Sequence, residues 1–236
     1  MSGSNTAHWL NFLQQFFQVW RRVPIYDQFN RLYQVFEAYG LSIIVEAFCT
    51  KNYTVTPTNL INGAFRIKLY TQGYQSNFSY FWVEKGEVRL EIRNNLQIFT
   101  FFSYHRTPRT QLYITPDIAI VRSASLIDDY YVKVSDLIAF GECKNFAPFP
   151  EVLVTFEGLV KRCFHACKYD RNCKLGLKNR IKTAIFFSLG ATSRNITNYI
   201  SKLNSPRSAI SIYTNINPSN RNIIRQTVTD YASTLP

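Results

Sequence analysis

An apolar strand that runs straight into charge limits what this chain can fold into more than any other feature. Leu137-Ile138-Ala139-Phe140-Gly141 leads into Glu142-Cys143-Lys144, and Pro116-Asp117 opens a second apolar run, Ile118-Ala119-Ile120-Val121, upstream of it. Side chains two apart in a strand share a face, so Glu142 and Lys144 project together while Cys143 points the other way. A strand apolar on both faces is usually a central strand covered by helices, where an unpaired charge is costly. A carboxylate and an ammonium at its end therefore need partners. Asp117 and a divalent cation would meet that need.

The pattern Pro116-Asp117, 24 intervening residues, then Glu142-Cys143-Lys144 resembles the PD-(D/E)xK nuclease superfamily, which includes many restriction endonucleases and the archaeal type of Holliday-junction resolvase. The resemblance spans residues 27–213 and implies an α/β fold of the restriction-endonuclease-like class, a central mixed β-sheet flanked by helices. It implies that Asp117 and Glu142 ligate Mg²⁺ or Mn²⁺, with the backbone carbonyl of Cys143 as a third ligand. Lys144 would orient and activate the attacking water. Many members also carry an acidic residue on the helix before the sheet. Glu46, set among apolar neighbours in a segment with helical spacing over 27–49, is the candidate for that place, and Glu37 is its rival.

These residue types suit phosphodiester hydrolysis. The reaction needs an in-line water, stabilisation of charge on the phosphoryl oxygens and help for the departing oxygen, and a hard cation held by carboxylates supplies the second and can supply the rest. The Cys143 thiol, pointing into the opposite core with no histidine near it in sequence, reads as a packed small residue and not a nucleophile.

Charge points the same way. There are 27 basic against 15 acidic residues, a formal net charge of +12, which favours a polyanionic partner through phosphate contacts and counterion release. Nucleic acid is the simplest such partner, DNA before RNA; ribosome association and membrane-surface binding share the charge balance. The N-terminus lacks a basic region followed by an uninterrupted apolar stretch, so no secretory signal, membrane span or membrane partner is expected, and the location expected is cytoplasmic. Three Asn-X-Ser/Thr triplets, at Asn52, Asn77 and Asn195, are read as chance occurrences. Five cysteines without regular spacing are read as reduced thiols.

Along the chain, aromatic residues recur at helical spacing over 8–22 until Pro24 stops the pattern. Residues 1–25 thus read as an aromatic N-terminal helix added to a nuclease domain over 26–236. Extended stretches follow at 65–70, 78–84, 88–92 and 96–102, an antiparallel meander feeding the strand of Asp117. The polar loop at 104–110 carries Arg106 and Arg109, placed to grip phosphates. Helical spacing returns over 151–168, followed by a strand at 182–189, a helix at 193–203, a strand at 209–213 and a last helix at 222–231.

The densest positive run includes Lys161, Arg162, Lys168 and Arg171, either a phosphate-backbone groove or a solvated basic face. Within it, Cys163, His165, Cys167 and Cys173 form a competing constellation. Cys163 and Cys167 would share a helix face, yet the paired knuckles of a zinc module are absent, so buried thiols are expected in preference to zinc. The function expected is metal-dependent cleavage of nucleic acid, endonucleolytic before exonucleolytic, with a homodimer or a larger defence or repair complex as assembly. The alternative is a catalytically silent nucleic-acid-binding or assembly subunit on the same fold.

Overall fold

The computed structural model describes residues 31–100, 113–168, 173, 175, 181–205, 208–217 and 219–236. The helix expected over 8–22, the loop arginines Arg106 and Arg109, and Arg171 lie outside the described residues. The chain is an α/β protein whose mixed sheet of seven strands is flanked by four helices.

Helix α1, Leu32–Thr50, enters first and is buried along almost its whole length. It is apolar on every side, with Val35, Phe36, Leu41, Ile44 and Phe48 all fully buried, as a helix enclosed by other elements must be. Its length and composition would suit a bilayer, although the sequence reading expected no such segment, but 78% of the apolar window is covered by the protein itself. It packs on the sheet and against the C-terminal helix.

Strands β1 (Thr54–Thr58), β2 (Tyr80–Lys85) and β3 (Val88–Asn94) form the expected meander, β2 and β3 being joined through Gly86 at φ +58°, the left-handed conformation that a two-residue hairpin demands. The stretch 65–70 does not become a strand. Part of its backbone is satisfied by side chains, with Ser79 Oγ accepting from Arg66 N–H and Asn95 Nδ2 donating to the Lys68 carbonyl, while the Ser79 backbone N–H donates to the Arg66 carbonyl. The meander then leaves the plane. Asn95, at φ +46°, turns the chain into β4 (Gln97–Phe99), which pairs with β5 (Tyr113–Ile114) and β7 (Tyr131–Lys133) in a separate three-stranded sheet.

Strand β6, Ile118–Arg122, returns beside β3, and β8, Leu137–Lys144, lies antiparallel to β6. A register shift at Ile120/Val121 resets the ladder, as a β-bulge does. Two parallel crossovers complete the sheet: α2 (Pro150–Lys168) leads to β9 (Ala184–Ser188), and α3 (Arg194–Leu203) to β10 (Ile210–Tyr213). Helix α4, Arg221–Ser233, then packs against α1. The strand order is β1-β2-β3-β6-β8-β9-β10. At the β10 edge, the Asn204 side chain accepts from Ile212 N–H and donates to the Ile212 carbonyl, satisfying backbone groups that would otherwise template another strand.

The sheet has an apolar core on each face. Ala139 and Cys143 of β8 face the cluster built on α1 and α4, while Phe140 joins the cluster under α2 and α3. Ile138, which the ladder to β6 skips, shares the cluster of Ala139; from Ala139 onward the expected alternation is present, and it decides where the charged side chains at the end of β8 emerge.

Candidate active site

The ladder between β6 and β8 ends at the pair Ile118↔Gly141, so Glu142, Cys143 and Lys144 run on past the start of β6. Asp117, immediately before β6, fills the place of the missing partner. Its Oδ2 accepts the Cys143 backbone N–H at 2.7 Å and the Lys144 ammonium at 3.3 Å. Lys144 Nζ also donates to Glu142 Oε2 at 2.7 Å. The three side chains are 14%, 16% and 30% exposed for Asp117, Glu142 and Lys144, half-sheltered yet open to solvent.

The carbonyl of Cys143 faces the same way. N–H and C=O of one residue leave a strand on one edge and alternate between neighbours. Lys144 gives its carbonyl to Leu189 beyond β9, so the Cys143 carbonyl lies toward Asp117. One side chain and one backbone amide of the Asn94-Asn95 turn hold Asp117 from behind: Asn94 Nδ2 donates to the Asp117 carbonyl at 3.1 Å, as does the Asn95 backbone N–H. This support was missed in the sequence, where Asn94-Asn95 reads only as a break between strands.

The helix carboxylate at this site is Glu37, not Glu46. Glu37 is 7% exposed, its Oε2 accepts from Asn95 Nδ2 at 3.4 Å, and its charge couples to Asp117, Lys144 and Glu142. Glu46 lies nine residues further along α1, about two and a half turns away and so on the opposite side, within the field of Tyr39. The expectation for Glu46 is corrected on that ground. Gly40, one turn after Glu37, marks the face that meets the strand, for a Cβ there would stand 2.5 Å from Cys143 Sγ.

Carboxylates outnumber cations in this space. Burial, followed by the charge of Asp117, pushes Glu37 from an ordinary 4.5 up to about 8 and Glu142 up to about 7. Burial alone would lower Lys144, but the Asp117 and Glu142 carboxylates outweigh it and hold the ammonium above its ordinary value. Burial and the same carboxylates raise the Cys143 thiol well above its usual range, which keeps it protonated and a poor nucleophile.

The residues fit a hard divalent cation. Asp117, Glu142 and the Cys143 carbonyl are all oxygen donors, and Lys144 now bridges both carboxylates as a positive group would. Among the described residues, no three His, Cys, Asp or Glu side chains are gathered into a ready metal cage. An ion here would therefore be completed by the backbone carbonyl and by water, as Mg²⁺ commonly is.

The basic run is divided. Lys161 is exposed and paired with Glu157 at 2.8 Å, and Lys168 is exposed at the end of α2. Arg162 instead lines, together with Glu142 and Lys144, a cavity of about 470 Å³ between α2 and the strand ends. Its Nη2 is buried without a hydrogen-bond partner. The zinc constellation does not assemble: Cys163 is fully buried, His165 is exposed, and Cys167 is joined to Cys173 in a disulfide with Cα atoms 5.4 Å apart. That bond corrects the expectation of reduced thiols for these two. Their separation of six residues is not a spacing that marks a pair in the sequence, but the Cα distance lies within the bridging range.

Comparison with family models, curated proteins and solved structures gave no match. What the fold and the site define is a class of architecture: an α/β protein with carboxylates and a lysine gathered where two antiparallel strands of a mixed sheet part.

Proposed function

We propose that this chain is a metal-dependent nuclease of the PD-(D/E)xK type, with a restriction-endonuclease-like fold, acting on nucleic acid and on DNA first. One observation carries the reading: Lys144 Nζ bridges Asp117 and Glu142 at the point where β6 and β8 separate. Asp117, Glu142 and the Cys143 carbonyl would hold Mg²⁺ or Mn²⁺, and Glu37 takes the helix position that the sequence offered to Glu46. A bound cation supplies Lewis-acid stabilisation of the phosphoryl oxygens.

The chain's own groups do the rest. Asp117 fixes the end of β8 through the Cys143 N–H, keeping Glu142 and Lys144 on the open face. Lys144, an ammonium while both carboxylates face it, presents N–H donors that orient a water toward phosphorus. Neutralising the carboxylates withdraws the attraction that raises its pKa, so that its proton becomes easier to exchange with that water. Arg162 stands ready for a phosphate oxygen. The net charge of +12 favours the polyanion as a whole.

The test is incubation of wild type and Lys144→Ala with supercoiled plasmid and with single-stranded substrates in Mg²⁺, Mn²⁺ or EDTA. Metal-dependent cutting that the variant loses supports the reading. Tight binding without cutting, under either metal, replaces it with a silent binding or assembly subunit.

A further inference from the structure

Two features beside the cluster go beyond what the proposed hydrolysis itself needs. The first is the cavity that Arg162 lines. Its walls are mostly apolar, with Val152, Phe156 and Leu159 of α2 facing Phe186 of β9, and Glu142 and Lys144 at one end. At about 470 Å³ it falls within the range of small-molecule sites, roughly 300–1,000 Å³, and accepts a nucleoside but not a base pair with its two backbones. The second is the loop that leaves Lys144. Phe146 and Phe149 stand 40% and 45% exposed, stacked on each other with ring centroids 5.7 Å apart.

The loop is fixed. Ser188 Oγ donates to the Phe146 carbonyl, and the backbone of Ala147 approaches Gly190 so closely that any Cβ there would collide with it. Exposed aromatic rings held in place offer stacking to any base while losing little freedom on binding. The cavity adds a buried, unpartnered guanidinium nitrogen next to apolar walls, a pairing of charge and π-compatible surface that matches a phosphate and the base attached to it.

We infer that the substrate strand is unpaired where it crosses this site, with one base lodged in the cavity between α2 and β9 and a neighbouring base stacked on Phe146 and Phe149. A base still stacked and paired in a duplex cannot reach between a helix and the ends of strands, so the site selects single strands, flaps or unpaired positions over intact duplex. The inference rests on the nuclease reading for what becomes of the strand, but not for how it is bound.

Gly158 allows a test that spares the fold. It lies on the cavity side of α2, a Cβ there meets nothing within 4 Å, and a leucine is a better helix former than glycine. Gly158→Leu therefore fills the cavity without stressing the helix. Binding of a short single-stranded oligonucleotide containing 2-aminopurine, and of the same sequence as duplex, is measured in Ca²⁺ for wild type, Gly158→Leu and the double variant Phe146→Ala/Phe149→Ala.

The expected result is that wild type prefers the single strand by about ten-fold or more, and that each variant loses about ten-fold of that affinity while keeping its melting temperature and its duplex affinity. Equal affinity of wild type for duplex and single strand, or unchanged single-strand affinity in folded variants, overturns the inference. Plasmid and single-strand cleavage are read separately. Strand preference without cleavage supports the binding site while removing the nuclease reading; cleavage without strand preference does the reverse.

Discussion

Asp117 Oδ2 accepts the backbone N–H of Cys143 at 2.7 Å, and this bond makes one carboxylate both a structural latch and a candidate metal ligand. The ladder has ended at Gly141, so without Asp117 the Cys143 amide has no partner. Asp117→Asn keeps an acceptor oxygen and removes the charge; Asp117→Ala removes both. We expect the alanine variant to lose about 1–3 kcal/mol of stability for an unsatisfied buried donor and the asparagine variant to lose less. Both should lose metal-dependent cleavage. Urea unfolding beside cleavage assays checks this, and equal stability of the two variants would remove the latch.

Glu37 sets a pH dependence. Its pKa is raised by burial and by Asp117 from 4.5 to about 8, so the folded state binds this proton more tightly than the unfolded chain does. For a raised carboxyl, stability is undiminished below the unfolded value and falls as pH climbs from about 4.5 through about 8. Glu142, raised to about 7, adds a loss of the same sign over a narrower window. Metal-free protein should therefore lose stability from pH 5 to 8.5. Glu37→Gln should recover on the order of 1–3 kcal/mol at the alkaline end and little at pH 4.5. Thermal melts of both proteins in EDTA across this range are the measurement, and parallel curves would detach Glu37 from the cluster.

Close packing couples α1 to the site strand. A Cβ on Gly40 would stand 2.5 Å from Cys143 Sγ and 3.2 Å from the Phe187 ring, and neither neighbour has space to retreat, since both are buried. Alanine is the better helix former by about 1 kcal/mol, but overpacking a buried contact costs about 1–3 kcal/mol and shifts backbone. Gly40→Ala should thus destabilise the protein on balance and lower cleavage through displacement of β8. Adding Cys143→Ala should return much of both, because it removes the sulfur that the new methyl strikes. A double-mutant cycle with no coupling energy would disprove the contact.

The site's strands were legible because period two is unambiguous there. After the irregularity at Ile138, Ala139 to Lys144 alternates between two faces, and its charged end follows from that alternation. Helix α1 offers no such guide. It is buried on all sides, so its pattern has no polar face to say which carboxylate looks toward the sheet, and the apolar neighbours of Glu46 favoured it over Glu37. The signal that could have separated them is Gly40, a small residue one turn from Glu37 where helix and strand approach. The exit of the meander at Asn95 was hidden for another reason: the left-handed turn is stabilised by contacts to Glu37, Lys68 and Asp117 that are far away in sequence. The parallel crossovers, each a strand, a helix and a strand of ordinary length, left plain traces.

Lys144 separates binding from chemistry. It is the positive group between Asp117 and Glu142, so removing it leaves the carboxylates facing each other with nothing between them. Lys144→Ala should then bind Mn²⁺ at least as tightly as wild type does, since the competing ammonium is gone and all the oxygen donors remain. Cleavage should fall by about 10²–10⁴, the usual contribution of a positioned proton-transfer group. Lys144→Arg keeps the charge but substitutes a planar fork that cannot exchange its proton, and should rescue stability in EDTA without rescuing cleavage. Calorimetric titration with Mn²⁺ and single-turnover cleavage by the same three proteins are the measurements. Loss of Mn²⁺ affinity in Lys144→Ala would mean that the lysine organises the carboxylates, and full activity in Lys144→Arg would assign it an electrostatic role with no proton transfer.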